Sequence, residues 1–336
     1  MTIRISGRTV AVSIFMLTFF GMAWYLVVEQ DLRKIDATLG EKPLKCFLNA
    51  GTETKRESIE NNDHGTVDLV EISSCGGSVR FYEAIPKNIT PKTPLVVALH
   101  QTTNFGKGEV MGYAGNSDLF YGRSFYEDGF IVIAPDIFLA GDNFSESVGY
   151  DTKNFYKEYP DWSATGRMLE DHKSVVRYAR KFNPRCMGVV GHSLGGHNAL
   201  FLAAFDKEID VVVSSGGFTS MASDKDAIRW ARESWFVYMP LLRPYVSKGS
   251  PRVTPWDFDD LLKAILPRSV LIIHGRNDES WSNNSSVPDL VAAANAGITS
   301  SSQAKLIFHE GGHEFGWRFQ DIAKDFVLQS CARGQF

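Results

Sequence analysis

Apolar residues along most of the chain come in short runs, separated by longer stretches in which they recur every three to four positions. The short runs are rich in valine and isoleucine, which is typical of buried strands. Strands that alternate with helices predict a mostly parallel sheet with helices on both faces, an α/β fold. Eight strands are expected, at Val67–Ile72, Ser78–Ile85, Leu95–His100, Phe130–Ala134, Met187–Gly191, Val211–Ser214, Val270–His274 and Lys305–Phe308.

The stretches between these strands predict crossover helices and two long insertions. The first two strands, joined through Cys75-Gly76-Gly77, are expected to form an antiparallel hairpin at the sheet edge. Insertions 137–165 and 216–255 are rich in aromatic residues, and both start where a strand ends. Ligands bind at the carboxyl ends of strands in such sheets, so the two insertions are expected to cover a ligand-binding site at this edge. Helices are expected at Arg167–Phe182, Gly195–Phe205, Asp257–Leu266, Pro288–Ala296 and Phe315–Ser330.

A different pattern opens the chain, where residues 9–28 contain no charged side chain. Twenty residues of helix span about 30 Å, the thickness of the hydrocarbon core of a bilayer. The bulky Trp24 and Tyr25 disfavour a cleaved signal peptide and favour an uncleaved anchor. Residues 1–8 carry Arg4 and Arg8, so the positive-inside rule keeps them cytoplasmic.

The rest of the chain is then expected on the periplasmic, extracytoplasmic or lumenal side of the membrane. Residues 29–65 are polar and lack a sustained period, which predicts a stalk. Residues 66–336 are predicted to form the globular α/β domain, with insertions 137–165 and 216–255. The formal net charge of −4, without a basic cluster, gives no footprint for nucleic acid, so none is expected as a partner.

The central motif is Gly191-His192-Ser193-Leu194-Gly195-Gly196, placed where a predicted strand meets a predicted helix. This is the pattern of a nucleophile elbow, in which the serine occupies a strained turn and the glycines leave room for crowded backbone. A serine hydroxyl is a weak nucleophile at neutral pH. It therefore needs an imidazole base, which in turn needs a carboxylate to orient it.

Both partners follow strands further along the chain. Asp278 lies in the turn after Val270–His274, and His313 lies in the turn after Lys305–Phe308. The order Ser193, Asp278, His313 predicts a catalytic triad at one edge of the sheet. Asp257 and Glu279 are the alternatives for the acid, and His309 is the alternative for the base.

These motifs resemble the α/β-hydrolase superfamily, over about Val67 to Ser330. The branch that the chain resembles most contains dienelactone hydrolases and acetyl-xylan-esterase-like proteins. The residues that carry this resemblance are Leu99-His100-Gln101-Thr102 with Gly106-Lys107-Gly108-Glu109, Ile133-Ala134-Pro135-Asp136, Pro255-Trp256-Asp257-Phe258 and Pro267-Arg268-Ser269-Val270-Leu271-Ile272.

The resemblance also implies an oxyanion hole. Its donors would be the backbone N–H groups of Leu194 and Gln101, with Thr102 as the next candidate if the loop register differs. The chemistry implied is hydrolysis of a carboxylic ester through an acyl-enzyme, without a metal or organic cofactor. The expected substrate is a small-molecule or carbohydrate ester.

A zinc-protease pattern, H-E-x-x-H, also occurs at His309-Glu310-Gly311-Gly312-His313. Zinc binding of this kind requires both histidines on one face of a helix. Two adjacent glycines disfavour a helix by about 2 kcal/mol relative to alanine, and a predicted strand runs directly into the motif. A metal site is therefore not expected.

Four cysteines allow two disulfides in an exported protein. Within the fold, Cys186 precedes the nucleophile strand at the amino edge of the sheet, and the last helix must return to that edge with Cys331. The expected pairs are Cys186 with Cys331 and Cys46 with Cys75.

Two other functions remain open. A serine peptidase of the prolyl-oligopeptidase type uses the same triad, although its members carry a large propeller domain for which the segment before Val67 is too short. A catalytically inactive hydrolase fold that serves as an interaction module would not need Ser193, Asp278 and His313 together. Aromatic residues of the insertions would line a substrate site or an ordinary core: Phe138, Phe144, Tyr150, Phe155, Tyr156, Trp230, Trp235, Phe236 and Tyr238.

Overall fold

A computed structural model describes residues 26–43, 46, 50–143, 149–247, 253–298 and 302–333. Within these ranges nine strands form one sheet in the order β1-β2-β3-β5-β4-β6-β7-β8-β9. The first three strands and the β3–β5 pair are antiparallel, and the others are parallel. The strands are β1 (Glu53–Asn61), β2 (Gly65–Ser74), β3 (Gly77–Pro86), β4 (Leu95–Leu99), β5 (Ile131–Pro135), β6 (Met187–His192), β7 (Val211–Ser215), β8 (Ser269–Gly275) and β9 (Lys305–His309).

The predicted stalk over 29–65 is wrong for its described part. Residues 26–39 form helix α1, which places Ile35 and Leu39 in the main core with Leu32 packed against it. These three apolar positions are three and four residues apart, which is the period of a helix. The run is short and lies among charged residues, so the sequence pattern did not reveal it. Strand β1 is exposed on both faces, which removes the alternation that predicts a strand.

The sheet consequently has one strand more than expected. The predicted hairpin is confirmed as β2 and β3, but β1 pairs with β2 and takes the edge position. Arg56 on β1 bridges to Asp68 at 2.5 Å and to the buried Glu83 at 2.7 Å, which fastens the added strand to the sheet.

The other helices cover both faces of the sheet, as predicted. Neighbouring residues Val189 and Val190 of β6 belong to different core clusters, because successive side chains of a strand point to opposite faces. The helices are α2 (Lys107–Val110), α3 (Tyr121–Glu127), α4 (Lys153–Glu158), α5 (Ala164–Ala179), α6 (Leu194–Phe205), α7 (Arg243–Val246), α8 (Phe258–Ile265), α9 (Ser286–Asn295) and α10 (Trp317–Arg333). Residues from α5, α6, α8 and α9 lie in one cluster, and residues from α3 and α10 lie in the other.

Both expected disulfides are present, Cys186 with Cys331 and Cys46 with Cys75. Cys186 precedes β6, and Cys331 lies near the end of α10. Their pairing therefore confirms that α10 runs back across the sheet to the amino ends of the parallel strands.

The predicted membrane segment, residues 9–28 with the preceding residues 1–8, lies outside the described residues except for 26–28, which belong to α1. None of the described helices combines the length and the apolar character needed to cross a bilayer.

Candidate active site

Ser193 occupies the turn between β6 and α6, with φ 53° and ψ −119°. A side chain on Gly191 would lie 2.2 Å from the backbone of Gly195, and one on Gly195 would lie 1.8 Å from the carbonyl oxygen of Leu99. Only glycine therefore lets α6 start so close to two strands. The N–H of Ser193 donates to the carbonyl of Ser215 at 2.8 Å, which holds the strained turn against β7.

Asp278 and His313 are brought together from the loops after β8 and β9. Nδ1 of His313 lies 2.6 Å from Oδ2 of Asp278. An ionised carboxylate only accepts hydrogen bonds, so Nδ1 carries the proton and Nε2 keeps its lone pair. Asp278 is 1% exposed, and its other oxygen accepts from the N–H of Ser280 at 2.9 Å.

The charge state of Asp278 follows from these contacts. Burial raises the pKa of its carboxyl, but the hydrogen bond and charge of His313 outweigh burial and leave the pKa below its usual value. Asp278 is therefore ionised at neutral pH and can stabilise an imidazolium at His313.

His192 is a contact of His313 that the motif did not reveal. Its ring centroid lies 4.5 Å from that of His313, and its Nδ1 lies 3.1 Å from Oγ of Ser215. The ring is also stacked on Phe315. Burial, followed by the proximity of His313, lowers the pKa of His192 to about 3, so this ring is neutral.

Gly216 is a second residue that sequence reasoning missed. It follows β7 with φ +54°, and a side chain there would lie 3.1 Å from two ring atoms of His313 and 3.5 Å from Oδ2 of Asp278. Its carbonyl accepts from Nε1 of Trp281 at 3.0 Å. A glycine between two strand ends has no signature in a single sequence.

The loop after β4 is held by buried polar contacts. His100 Nδ1 lies 2.6 Å from the carbonyl of Gln101, and its Nε2 accepts from the N–H of Ile137 at 3.2 Å. The Gln101 side chain donates to Glu109. Tyr150, from the first insertion, accepts from the N–H of Thr103 at 2.9 Å and donates to its carbonyl at 2.7 Å.

Two of the motifs that carry the family resemblance, 106–109 and 133–136, are joined by contacts between Lys107 and Asp136. Lys107 lies 2.6 Å from Asp136, and both are buried. The N–H of Lys107 also donates to Asp136 at 2.8 Å. Burial lowers the pKa of Lys107, but the charges and hydrogen bonds of Asp136 and Asp142 together outweigh burial, and the pKa is raised. The motif residues therefore stabilise the loop that carries Gln101 and Thr102.

The alternatives to Asp278 and His313 have other surroundings. Asp257 caps α8, accepting from the N–H of Phe258 at 2.8 Å and from Ser220 at 2.7 Å. Glu279 is exposed. His309 ends β9, and its ring packs on Phe319.

The H-E-x-x-H pattern lies at the end of a strand and in the loop that follows, so its two histidines do not share a helical face. Among the residues that the structure describes, no group of three or more His, Cys, Asp or Glu is arranged to hold a metal.

A cavity of about 150 Å³ opens beside Ser193. The second insertion supplies much of its wall, which agrees with its predicted position over the site. Trp230 and Tyr238 are the aromatic residues of the insertions that line it, while Phe155 packs in a separate small core and Phe144 lies outside the described residues. The lining residues are Thr102, Ser193, Leu194, His197, Gly217, Arg229, Trp230, Arg232, Tyr238, Ser280 and Trp281.

Comparison with known proteins agrees with this architecture. The model of the dienelactone hydrolase family matches residues 79–233. The chain has the α/β-hydrolase fold, and its predicted resemblance to the dienelactone hydrolase branch is confirmed.

Individual relatives are ester-hydrolysing enzymes. S-formylglutathione hydrolase of Mus musculus is 29% identical over 250 residues, which cover 67% of this chain and 85% of the relative. The solved glucuronoyl esterase of Solibacter usitatus has a TM-score of 0.65 at 12% identity and covers 90% of this chain and 92% of its own. A glucuronoyl esterase of Teredinibacter turnerae T7901 has a TM-score of 0.58 at 16% identity, with 90% and 82% covered. The prediction of an ester-hydrolysing enzyme is thereby confirmed.

Proposed function

We propose that the protein is a serine esterase in which Ser193 is the nucleophile, His313 the general base and Asp278 the residue that orients His313. The observation that carries this proposal is the 2.6 Å hydrogen bond between His313 and Asp278 at the sheet edge where Ser193 occupies its strained turn. Ser193, Asp278 and His313 follow three different strands, β6, β8 and β9, whose carboxyl ends lie at this edge. Their positions in the sequence alone give no reason for the three side chains to share one edge.

The reaction proceeds in two halves. The Ser193 hydroxyl oxygen bonds to the ester carbonyl carbon while its proton passes to Nε2 of His313. The carbon–oxygen bond to the alcohol then breaks, and His313 returns the proton to the departing alcohol. Water repeats the sequence on the acyl-enzyme, releasing the acid and restoring the Ser193 hydroxyl.

The oxyanion that forms at each step needs N–H donors. Leu194 is the first residue of α6, so its N–H has no acceptor within the helix. We assign the second donor to the N–H of Gln101, with that of Thr102 as the alternative, because both follow β4 on the loop held by His100 and Tyr150. Each donor contributes about 10²- to 10³-fold in rate.

The substrate is proposed to be a carboxylic ester of a small molecule or a carbohydrate. Two solved structures that share the fold are glucuronoyl esterases, and this likeness supports a carbohydrate ester as the substrate. Trp230 and Trp281 in the cavity wall add aromatic faces on which a sugar or a small acyl group packs.

The test is ester hydrolysis by purified wild-type protein, Ser193→Ala and Ser285→Ala, a control serine at the start of α9. The panel combines esters of graded acyl length, acetylated xylan and peptide amides. We expect wild type and Ser285→Ala to cleave esters and to be labelled by a fluorophosphonate, and Ser193→Ala to do neither. Turnover by Ser193→Ala would refute the mechanism.

The same panel separates the alternative functions. Faster cleavage of the peptide amides than of every ester would favour the prolyl-oligopeptidase-type reaction. Wild-type protein that neither reacts with the fluorophosphonate nor cleaves any member would favour an interaction module.

We propose further that residues 9–28 anchor the enzyme in a membrane, with the catalytic domain on the extracytoplasmic side. The uncharged sequence of this segment supports the anchor, and the two disulfides support an oxidising compartment. Full-length protein is expected in the membrane fraction after carbonate extraction. A soluble mature form that begins near Glu29 would show cleavage instead.

A further inference from the structure

The cavity beside Ser193 has the volume of a small chemical group. A cavity of about 150 Å³ is large enough to hold one benzene ring. One half of the ester therefore fits it only if that half is short. The inference below rests on the proposed esterase function.

The half in question is the acyl half. Ser193 and Leu194 both line the cavity, so the reacting carbonyl lies at its mouth. The departing alcohol must lie against His313, which protonates it. His313 does not line the cavity, so the alcohol leaves on another side and the acyl group enters the cavity.

His197 is a buried polar residue of the cavity wall whose ring nitrogens have no hydrogen-bond partner among the described residues. It lies one helical turn after Ser193 on α6, is 1% exposed, and stacks on Trp230 with ring centroids 4.7 Å apart. Nε1 of Trp230 likewise has no hydrogen-bond partner among the residues described. All three atoms are shielded from bulk solvent.

Buried polar atoms are almost always paired, because leaving one unpaired costs as much as its lost hydration. Burial lowers the pKa of His197 to about 3, so its ring is neutral and offers one N–H donor and one acceptor nitrogen. A hydroxyl group complements this pair, since it both donates and accepts.

Arg229, a charged residue of the cavity wall, already has partners. Arg229 contacts Asp224 at 3.3 Å and Asp226 at 3.2 Å and donates to the carbonyl of Ser280 at 2.5 Å. His197 and Trp230 are the buried cavity residues whose ring nitrogens have no hydrogen-bond partner among the described residues, so they are available to a neutral ligand.

We propose that this cavity binds a short acyl group carrying a hydroxyl, and that His197 selects this group by hydrogen-bonding the hydroxyl. The preferred substrates are esters of small hydroxy acids. His197 is a specificity-determining residue in this assignment, since it contacts the acyl group and takes no part in proton transfer to or from Ser193.

The experiment compares three phenyl esters of the same shape: the two enantiomers of the 2-hydroxypropanoate, and the 2-methylpropanoate, which has a methyl group in place of the hydroxyl. The quantity measured is the ratio of kcat/KM for each hydroxy ester to kcat/KM for the 2-methylpropanoate. Each kcat/KM is divided by the rate constant for hydrolysis by hydroxide, which removes the intrinsic effect of the hydroxyl. Wild type is expected to prefer one hydroxy enantiomer by about 10- to 100-fold. A ratio near one for both enantiomers overturns the proposal.

Variants assign the preference to one side chain. His197→Phe keeps an aromatic ring beside Trp230 but removes both nitrogens, and we expect the ratio to fall to near one. His197→Gln retains a donor and an acceptor and should keep part of the preference. The matched control is His172→Phe, at a buried histidine of α5 that also has an unpartnered nitrogen and lies outside the cavity; its ratio should equal that of wild type.

A third substrate pair tests the main competing explanation, an anionic acyl group held by Arg232, which also lines the cavity. A preference for the phenyl hemisuccinate over phenyl 4-methylpentanoate that disappears in Arg232→Gln, with no hydroxyl preference, would overturn the assignment to His197. Failure of the esterase proposal is distinct, because wild type would then cleave none of these esters through Ser193. If His197→Phe does not fold, the wild-type ratio and His197→Gln still decide the question.

Discussion

The imidazole of His192 lies directly against that of His313, with ring centroids 4.5 Å apart. His192 precedes Ser193 in the chain, so one backbone segment carries both the proposed nucleophile and a ring that packs against His313, the proposed base. The low pKa of His192, about 3, keeps this ring uncharged at neutral pH.

We expect His192→Ala to lower kcat by about 10- to 100-fold with little change in KM. A displacement of His313 by about 1 Å is enough for a loss of this size. His192→Phe, which restores a ring, should recover part of kcat. Steady-state kinetics with active-site titration test this, and an unchanged kcat for His192→Ala would show that the contact does not position His313.

Gly216→Ala is expected to lower kcat by about 10²-fold, because the added methyl group would lie 3.1 Å from two ring atoms of His313. The positive φ of Gly216 adds backbone strain. Gly297→Ala is the control, since Gly297 also has a positive φ, +80°, but an added side chain there would meet no neighbour within 4 Å. Equal activities of the two variants would contradict the steric explanation.

Asp278→Asn is expected to lower kcat by about 10⁴-fold, because an amide in this position favours the wrong tautomer of His313. Asp257→Asn, in contrast, changes a helix cap whose two oxygens both accept hydrogen bonds, and it should cost about 1 to 3 kcal/mol of unfolding free energy while leaving most of the activity. Activity and urea denaturation of both variants separate the two roles. A larger loss of activity in Asp257→Asn would reverse the assignment of the acid.

Acid is expected to destabilise the protein through its buried histidines. Burial lowers the pKa of His172, His192 and His197 to about 3. An unfolded histidine has a pKa of about 6.5, so between pH 6.5 and pH 3 the unfolded chain binds more protons than the folded protein. Stability therefore falls as the pH is lowered through this range. Each group contributes about 2 kcal/mol to this loss between pH 7 and pH 5.

Urea denaturation at pH 7 and pH 5 measures this loss. His172→Leu, which removes one titrating group away from the cavity, should reduce the loss of stability between pH 7 and pH 5 by about 2 kcal/mol. A pH dependence equal to that of wild type would show that His172 is not buried as a neutral ring.

The buried strands were predictable because burial leaves a strong trace in sequence, and the pairing of the cysteines followed from the arrangement of those strands. Strands β4, β5 and β6 are buried at every position and appear as continuous apolar runs. The exposed β1 has no such trace, and the salt bridges that join it to Asp68 and Glu83 connect residues more than ten positions apart. Its place at the sheet edge therefore depends on the fold.

The same distinction holds for the site. Ser193 was identifiable from its motif and its position after a strand. Gly216 and His197 were not, because each matters through neighbours from distant segments: His313 for the first and Trp230 for the second. Tertiary contacts of this kind require the arrangement of the strands to be known first.

The disulfide between Cys186 and Cys331 closes a covalent ring of the chain. Ser193, Asp278 and His313 all lie inside that ring, so a single cut by a protease anywhere between the two cysteines opens it without detaching any of the three residues. The nicked protein stays one molecule, and its fragments separate only after reduction. In a compartment rich in proteases, the bond would therefore preserve the integrity of the site after the backbone has been broken.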